Sequence, residues 1–287
     1  MLIQTLNRRF EVIKAHSSGN DADILVCRDL WEDKDQEYLL IAIKNPDQIY
    51  RSAPFFAQLS QNGAFTDFVE CFSRDGQFYI VFVHHAKPLF KEKFNEEVYF
   101  LNERLEIGKN LLSRMVLQNM PPCLQYEALQ DRNLLLDESL QVYFNYALEE
   151  IPAHGFFTLA RVQKELGRIF RLLLRQELAT RVAEETEAFV SDLEECRFAD
   201  YLGIYEVYDR LYVLLKGLQE TGDIYPQSLP FRLWERLKKM AGYLRPVLAG
   251  VIIITALGFL IYTVTNPSVR ASGGPVNIET IGTVKAE

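Results

Sequence analysis

Residues 129–148 read LQDRNLLLDESLQVYFNYAL, and this stretch decides how the chain is interpreted. Two short apolar runs stand on either side of Asp-Glu-Ser, which is a turn sequence, so the pattern predicts two short strands. Asn133 precedes the first run and Asn145 lies at the end of the second. What these two amides can do depends on the elements around them.

The sequence on either side of this stretch has two different apolar patterns. Before residue 85, five short apolar runs are separated by turn or charged residues, and the proline-containing stretch 47–63 is compatible with one short helix. From residue 90 the spacing becomes helical, and the first helix is ended by Pro121 and Pro122. The predicted strands are FEVIKA, ADILVCRDL, YLLIAIKN, FTDFVECF and QFYIVFV, and further helices are predicted over 158–178, 185–196 and 205–219. The pattern predicts an α+β fold.

Composition limits the classes of function. The chain has 287 residues, 48% of them hydrophobic and 24% charged, which is typical of a globular protein with one large core or two modest ones. Its formal net charge of −8 argues against nucleic acid as a partner, because phosphate contacts need clustered Lys and Arg. The cysteines lack the spacing of a zinc or redox site, so no metal is expected and isolated thiols are the simplest interpretation. They are Cys27, Cys71, Cys123 and Cys196.

One segment, 247–264, is typical of a membrane span. Its 18 residues, VLAGVIIITALGFLIYTV, carry no charge, and as a helix they would cover ~27 Å, close to the thickness of a bilayer core. A buried soluble helix is the alternative. Positive residues concentrate before the segment, which predicts a cytoplasmic N-terminal part and a short outer tail over 265–287. They are Arg232, Arg236, Lys238, Lys239 and Arg245, against Arg270 and Lys285 after it.

Several local sequences resemble the protein kinase family over about residues 10–220. A strand-rich half, the turn HHAKP and a helical half follow in the order of that fold. LLIAIKNP resembles the Val-Ala-Ile-Lys strand, which implies that Lys44 grips phosphates, and SSGNDADI resembles the glycine-rich loop with Gly19 retained. An ordinary strand lysine and a polar hairpin turn are the simpler interpretations of these two matches.

The resemblance also implies that catalysis is lost. Counting back from Asn133 puts Tyr126-Glu127-Ala128 in place of His-Arg-Asp, so the catalytic base becomes a methyl group. Asn145-Tyr146-Ala147 takes the place of Asp-Phe-Gly, and amides are weaker magnesium ligands than carboxylates. No Asp or Glu lies between Asp47 and Asp67, where the glutamate partner of Lys44 belongs. We therefore expect a pseudokinase with no catalytic residues.

The expected fold class is α+β, a two-lobed protein kinase-like fold with a β-rich N-lobe, a helical C-lobe and one C-terminal transmembrane helix. The predicted domains are an N-lobe over 1–87, a C-lobe over 88–225, a juxtamembrane amphipathic helix over 226–246, the membrane helix over 247–264 and an extracytoplasmic tail over 265–287.

This arrangement resembles the membrane-anchored pseudokinase subunit of Gram-positive type VII secretion systems. The resemblance implies a bacterial single-pass protein of the cell membrane, a scaffold or docking subunit whose partners are the membrane, proteins of a membrane complex and a second copy in a homodimer. No cofactor is expected. The alternatives are a divergent ATP sensor or weakly active kinase, binding ATP and magnesium through Lys44, Asn133, Asn145 and Gly19, and an unrelated α+β protein with a C-terminal anchor.

Overall fold

The computed structural model describes residues 1–32, 36–148, 158–180, 182–221 and 224, and four isolated residues further on. Residues 1–227 form one compact unit, and 228–287 are assigned to a second. The second unit is described only at Thr255, Ala256, Gly258 and Tyr262. The architecture that follows therefore belongs to the first unit.

A six-stranded antiparallel sheet makes up the first part of this unit. Its strand order is β1-β2-β3-β4-β6-β5, so the last two strands along the chain exchange places at the edge. The sequence predicts five of these strands, and it misses the short first one. The strands are β1 (Leu2–Gln4), β2 (Arg9–Ser18), β3 (Ala22–Asp29), β4 (Glu37–Ile43), β5 (Phe68–Arg74) and β6 (Gln77–His84).

The sheet is curled, and it buries apolar side chains on both faces. Ile3, Phe10 and Leu40 belong to a small core on one face, while alternate residues of the same strands enter the main core on the other. Polar contacts join the two edges, because the Thr5 hydroxyl donates to Glu70 at 3.3 Å and Arg74 donates to the carbonyl of Gln4 at 3.4 Å. The extra strand β1 thus helps to cover the small core.

Helix α1 (Pro46–Asn62) packs on the sheet between β4 and β5, and it is longer than the sequence indicates. Pro54 lies inside this helix without ending it, whereas the sequence indicated only one short helix in this stretch. Asn45 caps the start by accepting from the Asp47 N–H at 3.0 Å, and Gly63 ends the helix with φ +59°. Good caps and a buried face centred on Phe56 offset the hydrogen bond that the proline removes.

The rest of the described part of this unit is helical, with one small hairpin. The predicted helix over 158–178 ends at Leu173 and is followed by a 3-10 turn at Glu177–Ala179. Segment 129–148 forms the two predicted short strands. The elements are α2 (Phe90–Glu96), α3 (Leu101–Leu117), α4 (Pro122–Ala128), β7 (Leu134–Leu136), β8 (Val142–Phe144), α5 (Leu159–Leu173), α6 (Ala183–Glu194) and α7 (Tyr201–Thr221).

One continuous apolar core joins the sheet to the helices. Tyr146, just after β8, stacks on Phe82 of β6 with ring centroids 4.8 Å apart, and it meets Phe65 edge-on at 5.5 Å. The sheet ends at His84 and α2 begins at Phe90, on either side of the predicted boundary at residue 87. The segment 84–89 therefore links two parts that share a core.

The predicted fold class is wrong in its membrane helix. No helix in the described ranges up to residue 224, or at the four residues beyond, is long and apolar enough to cross a bilayer. The longest, α7, has 21 residues, but it carries charges such as Glu206, Arg210 and Lys216 and packs against α3. The described residues form an α+β fold with a curled antiparallel sheet and seven helices.

The predicted membrane segment itself, 247–264, lies outside the described residues except at the four isolated positions. The predicted juxtamembrane helix over 226–246 and the tail over 265–287 lie outside them entirely.

Candidate functional site

The region where the sheet meets the helices brings together two of the four predicted site residues. We call it the junction, and it consists of segment 84–89, the β7–β8 hairpin with residues 145–147, the C-terminal end of α3, and Asp67 just before β5. Asn133 and Asn145 both lie here, linked by a hydrogen bond from the Asn145 N–H to the Asn133 carbonyl at 2.8 Å. The junction is the candidate site because it brings the two predicted asparagines into contact.

Asn145 holds the main chain of the linking segment. Its side-chain oxygen accepts from the His85 N–H at 2.9 Å, and its side-chain nitrogen donates to the His85 carbonyl at 3.2 Å. An amide can make this pair because it carries both an acceptor and donors, whereas a carboxylate has acceptors alone. Both main-chain polar groups of His85 are thereby satisfied from within the protein.

Asn133 is fully buried, and both polar atoms of its side chain are hydrogen-bonded to main-chain groups. Its side-chain nitrogen donates to the Glu127 carbonyl at 2.9 Å, and its side-chain oxygen accepts from the Ala147 N–H at 2.9 Å. These bonds tie the end of α4 to the chain after β8. The amide is committed to the backbone on both sides, which leaves it poorly placed to bind a metal ion.

Lys44 and Gly19 lie together at the other end of the sheet. The Lys44 ammonium pairs with Asp23 at 2.7 Å and donates to the Gly19 carbonyl at 3.2 Å. The Gly19 N–H donates to the Ala22 carbonyl at 3.0 Å, so it closes the β2–β3 hairpin. Partial burial of Asp23 would raise its pKa, but the hydrogen bonds from Lys44 and Ser18 bring the pKa below its usual range. The lysine is the partner of a carboxylate on its own sheet.

Lys44 is far from the two asparagines. Glu37, at the start of β4, pairs with His84 at the end of β6, and Lys44 follows the opposite end of β4. The seven steps along the strand from Glu37 to Lys44 cover ~23 Å at about 3.3 Å per residue. The structure therefore brings Asn133 and Asn145 together, and it leaves Lys44 and Gly19 apart from them.

The sequence missed a buried carboxylate at the junction. Asp67 is 5% exposed, and it accepts a hydrogen bond from the Tyr146 hydroxyl at 3.0 Å and another from the Gln118 side chain at 2.5 Å. Arg114 and His85 lie slightly farther from the same carboxylate, at 3.7 and 4.0 Å. The sequence does carry a signal for this carboxylate. Among the twenty residues 47–66 only Asp47 is acidic, so Asp67 is the next acid along the chain.

Burial shifts the pKa values of the two histidines at the junction. Burial lowers the pKa of His84 below its ordinary value of 6.5, against an opposing effect of Glu37. Burial also lowers the pKa of His85, where Asp67 opposes the shift and the positive charges of Arg114 and Lys87 add to it. Both shifts favour the neutral form of the imidazole.

The acids near the predicted catalytic triplet are paired with cations. Glu127 is buried and binds Arg132 at 2.7 Å. Asp131 binds Lys91 at 2.6 Å and Arg168 at 2.9 Å, and these two cations lower its pKa although its partial burial acts to raise it. In the described ranges no group of three or more His, Cys, Asp or Glu side chains could hold a metal ion. Glu127 and Asp131 are thus each engaged by cations of the neighbouring elements.

Comparison of the sequence with known proteins does not assign the chain to a family. No protein-family model matches the chain, and no curated protein matches it significantly.

Proposed function

We propose that residues 1–221 form a pseudokinase domain that does not transfer phosphate and that serves to dock protein partners in a larger complex. The resemblance stated from the sequence supplies the kinase relationship, and the type VII secretion subunit that the sequence resembles supplies the kind of complex. Attachment through 247–264 forms no part of the proposal.

The observation that carries the proposal is the pairing of Asn145 with the main chain of His85. In a kinase-like domain the segment between the two halves is the place where adenine would bind. Here the Asn145 side chain binds both the N–H and the carbonyl of His85, at 2.9 and 3.2 Å, and the carbonyl also accepts from the Lys87 N–H at 2.9 Å. A purine would have to displace this pair, and it would then compete with a hydrogen-bonded protein group rather than with water.

The positions of the remaining groups support the same conclusion. Phosphoryl transfer depends on positioning and on charge stabilisation by cations and metal ligands held around one triphosphate. Lys44 lies roughly 23 Å from the junction, where it pairs with Asp23. The side-chain nitrogen and oxygen of Asn133 are both hydrogen-bonded to the backbone. With catalysis absent, binding other proteins is the function that remains.

Thermal unfolding with and without Mg-ATP tests the loss of the nucleotide site. If Mg-ATP half-saturated a site at about 10 μM, a ligand concentration 100-fold above that value would raise the free energy of unfolding by about 2.7 kcal/mol. This corresponds to several degrees in melting temperature. We expect the full chain and its Lys44→Ala variant to respond alike to Mg-ATP. Lys164→Ala, at an exposed position on α5, is the matched control. A shift of several degrees that Lys44→Ala alone abolishes would contradict the proposal.

Docking is tested separately by affinity purification of the tagged full chain from cells. We expect the same stoichiometric partner proteins to copurify with the wild type and with Lys44→Ala, because docking does not use the lysine. Recovery of the chain without a stoichiometric partner, after cross-linking in the cell, would count against the docking function.

A further inference from the structure

A cluster of positive groups surrounds one tyrosine at the junction. The Lys87 ammonium lies 5.8 Å from the centre of the Tyr143 ring, and the Arg114 guanidinium carbon lies 5.6 Å from it. The His85 ring is tilted against the same tyrosine at 5.0 Å. We call Lys87, Arg114, His85 and Tyr143 the Tyr143 cluster. Its residues come from the linking segment, α3 and β8. The cluster is positive although the formal net charge of the chain is −8.

The cations of the cluster lack hydrogen-bond acceptors. In the part of the chain that the structure describes, neither the Arg114 guanidinium nor the Lys87 ammonium donates a hydrogen bond, and the buried Arg114 Nε has no partner. The nearest carboxylate, Asp67, is 3.7 Å from Arg114 and already accepts from Tyr146 and Gln118. The Arg114 side chain is 33% exposed, so its remaining N–H groups, which are strong donors, are accessible to a ligand from solvent.

The carboxylates nearby offset the cluster only in part, because Asp67 pairs with Arg114 at 3.7 Å and no carboxylate in the described ranges pairs with Lys87. Burial and the carboxylate of Asp137 raise the pKa of Tyr143, and the positive charge of Arg114 opposes that shift. Each cation–π contact contributes about 0.5–1 kcal/mol where the cation is partly solvated. Two cations on one ring also repel each other, so a group that carries negative charge would be attracted to both.

We propose that Arg114 and Lys87 bind a phosphate monoester, with the Tyr143 ring against its organic part. The planar fork of an arginine matches two phosphate oxygens, and a lysine adds a point charge beside it. The proposal goes beyond docking as such, because it names the chemistry that one ligand must carry. It does not involve Lys44, which lies at the far end of the sheet.

Nuclear magnetic resonance of the full chain labelled at histidine gives a direct readout. The chain has four histidines, so the His85 signal can be assigned by substitution. The probes are inorganic phosphate and phenyl phosphate, each titrated at pH 7.5. We expect saturable shifts of the His85 signal with dissociation constants of about 1 mM. Tighter binding of phenyl phosphate by about threefold or more is expected from contact with the tyrosine ring.

Two variants and one control make the result decisive. Arg114→Gln is expected to weaken phosphate binding about tenfold, as loss of a charge-assisted hydrogen bond would. Lys87→Gln changes an exposed residue, and we expect it to weaken binding several-fold without affecting folding. Arg51→Gln, at an exposed position on α1, should leave binding within about twofold.

Two outcomes would overturn the inference, and a third would overturn its assignment of the Tyr143 ring. The first is no shift of the His85 signal up to about 50 mM phosphate, and the second is a shift that both variants leave undiminished. Equal binding of phenyl phosphate and inorganic phosphate would remove the part assigned to Tyr143. Nucleotide binding that depends on Lys44 would contradict the proposed loss of the nucleotide site instead, so the two proposals fail separately.

Discussion

At the scale of single residues, the junction is built from amides that act as structural groups. Asn145 donates to the His85 carbonyl and accepts from its N–H, and an aspartate at this position could accept but not donate. The sequence identified both asparagines as possible ATP and magnesium ligands of a degenerate kinase site. It could not show which atoms they meet, because their partners are main-chain groups that carry no sequence signal.

The buried ion pair between Arg104 and Glu177 is expected to matter more to stability than any surface pair. The guanidinium makes two bonds of 2.7 Å to the carboxylate, and both side chains are almost fully buried. Arg104→Met leaves Glu177 charged in the core, so we expect it to lower the free energy of unfolding by about 3–5 kcal/mol. Urea denaturation measures this change.

The surface pair of Arg197 and Asp192 provides the control. Its atoms are 2.7 Å apart but exposed, so Arg197→Gln should change the urea midpoint little. A second test replaces both buried partners, as Arg104→Met with Glu177→Leu, which should recover much of the lost stability. Equal effects of Arg104→Met and Arg197→Gln would contradict this account of the ion pair.

The junction histidines predict how stability depends on pH. Burial lowers the pKa of His84 and of His85 in the folded state below 6.5, so the unfolded state binds more protons in mildly acidic solution. The contribution of the two histidines to stability is therefore greatest above the pKa of histidine in the unfolded state. It falls as the pH drops from about 6.5 toward the lower pKa values of the folded state. Urea midpoints at pH 7.5 and 5.5 should show a decrease.

Substitution separates this effect from other titrations. With His84→Gln and His85→Gln combined, the decrease in urea midpoint between pH 7.5 and 5.5 should be clearly smaller. An unchanged decrease would assign the pH dependence to groups elsewhere in the chain.

At the scale of elements, periodic apolar faces were predictable and local exceptions were not. The sequence indicated α3, α5, α6 and α7 because each keeps a buried face of helical period. It missed β1, whose three residues are too short for a pattern, and it shortened α1 because Pro54 is a strong local signal. Packing of Phe56 on the sheet outweighs that signal, and such packing is visible only in three dimensions.

The contact between α3 and α7 depends on a glycine. A Cβ on Gly108 would lie 2.8 Å from Phe170 and 2.9 Å from Tyr208 Cζ, and the Tyr208 hydroxyl donates to the nearby Leu105 carbonyl at 2.7 Å. Gly108→Ala should therefore lower stability by about 1–3 kcal/mol through overpacking, although alanine favours helix. Thermal or urea unfolding measures the loss.

Gly217 of α7 is the matched control, because nothing lies within 4 Å of a Cβ at that position. Gly217→Ala should raise stability by about 0.5–1 kcal/mol through the helix preference alone. Stabilisation by both substitutions would show that α3 and α7 are not packed as described.

At the scale of the whole molecule, the sheet and the helices behave as one unit because they share a core. Phe82, Phe65 and Tyr146 meet there, and the Tyr146 hydroxyl is anchored on Asp67. The sequence predicted a strand-rich part and a helical part in the right order. It could not predict that they are held by main-chain bonds at His85, which is the basis of the proposed loss of the nucleotide site.

Amide hydrogen exchange at His85 tests this closed junction most directly. We predict that the His85 N–H is protected in the wild type and that Asn145→Ala speeds its exchange about tenfold, in line with the loss of one hydrogen bond. The Val83 N–H, which donates to the Asp67 carbonyl at 2.8 Å, should keep its protection in both proteins. Rapid exchange at His85 in the wild type, unaffected by Asn145→Ala, would contradict the account.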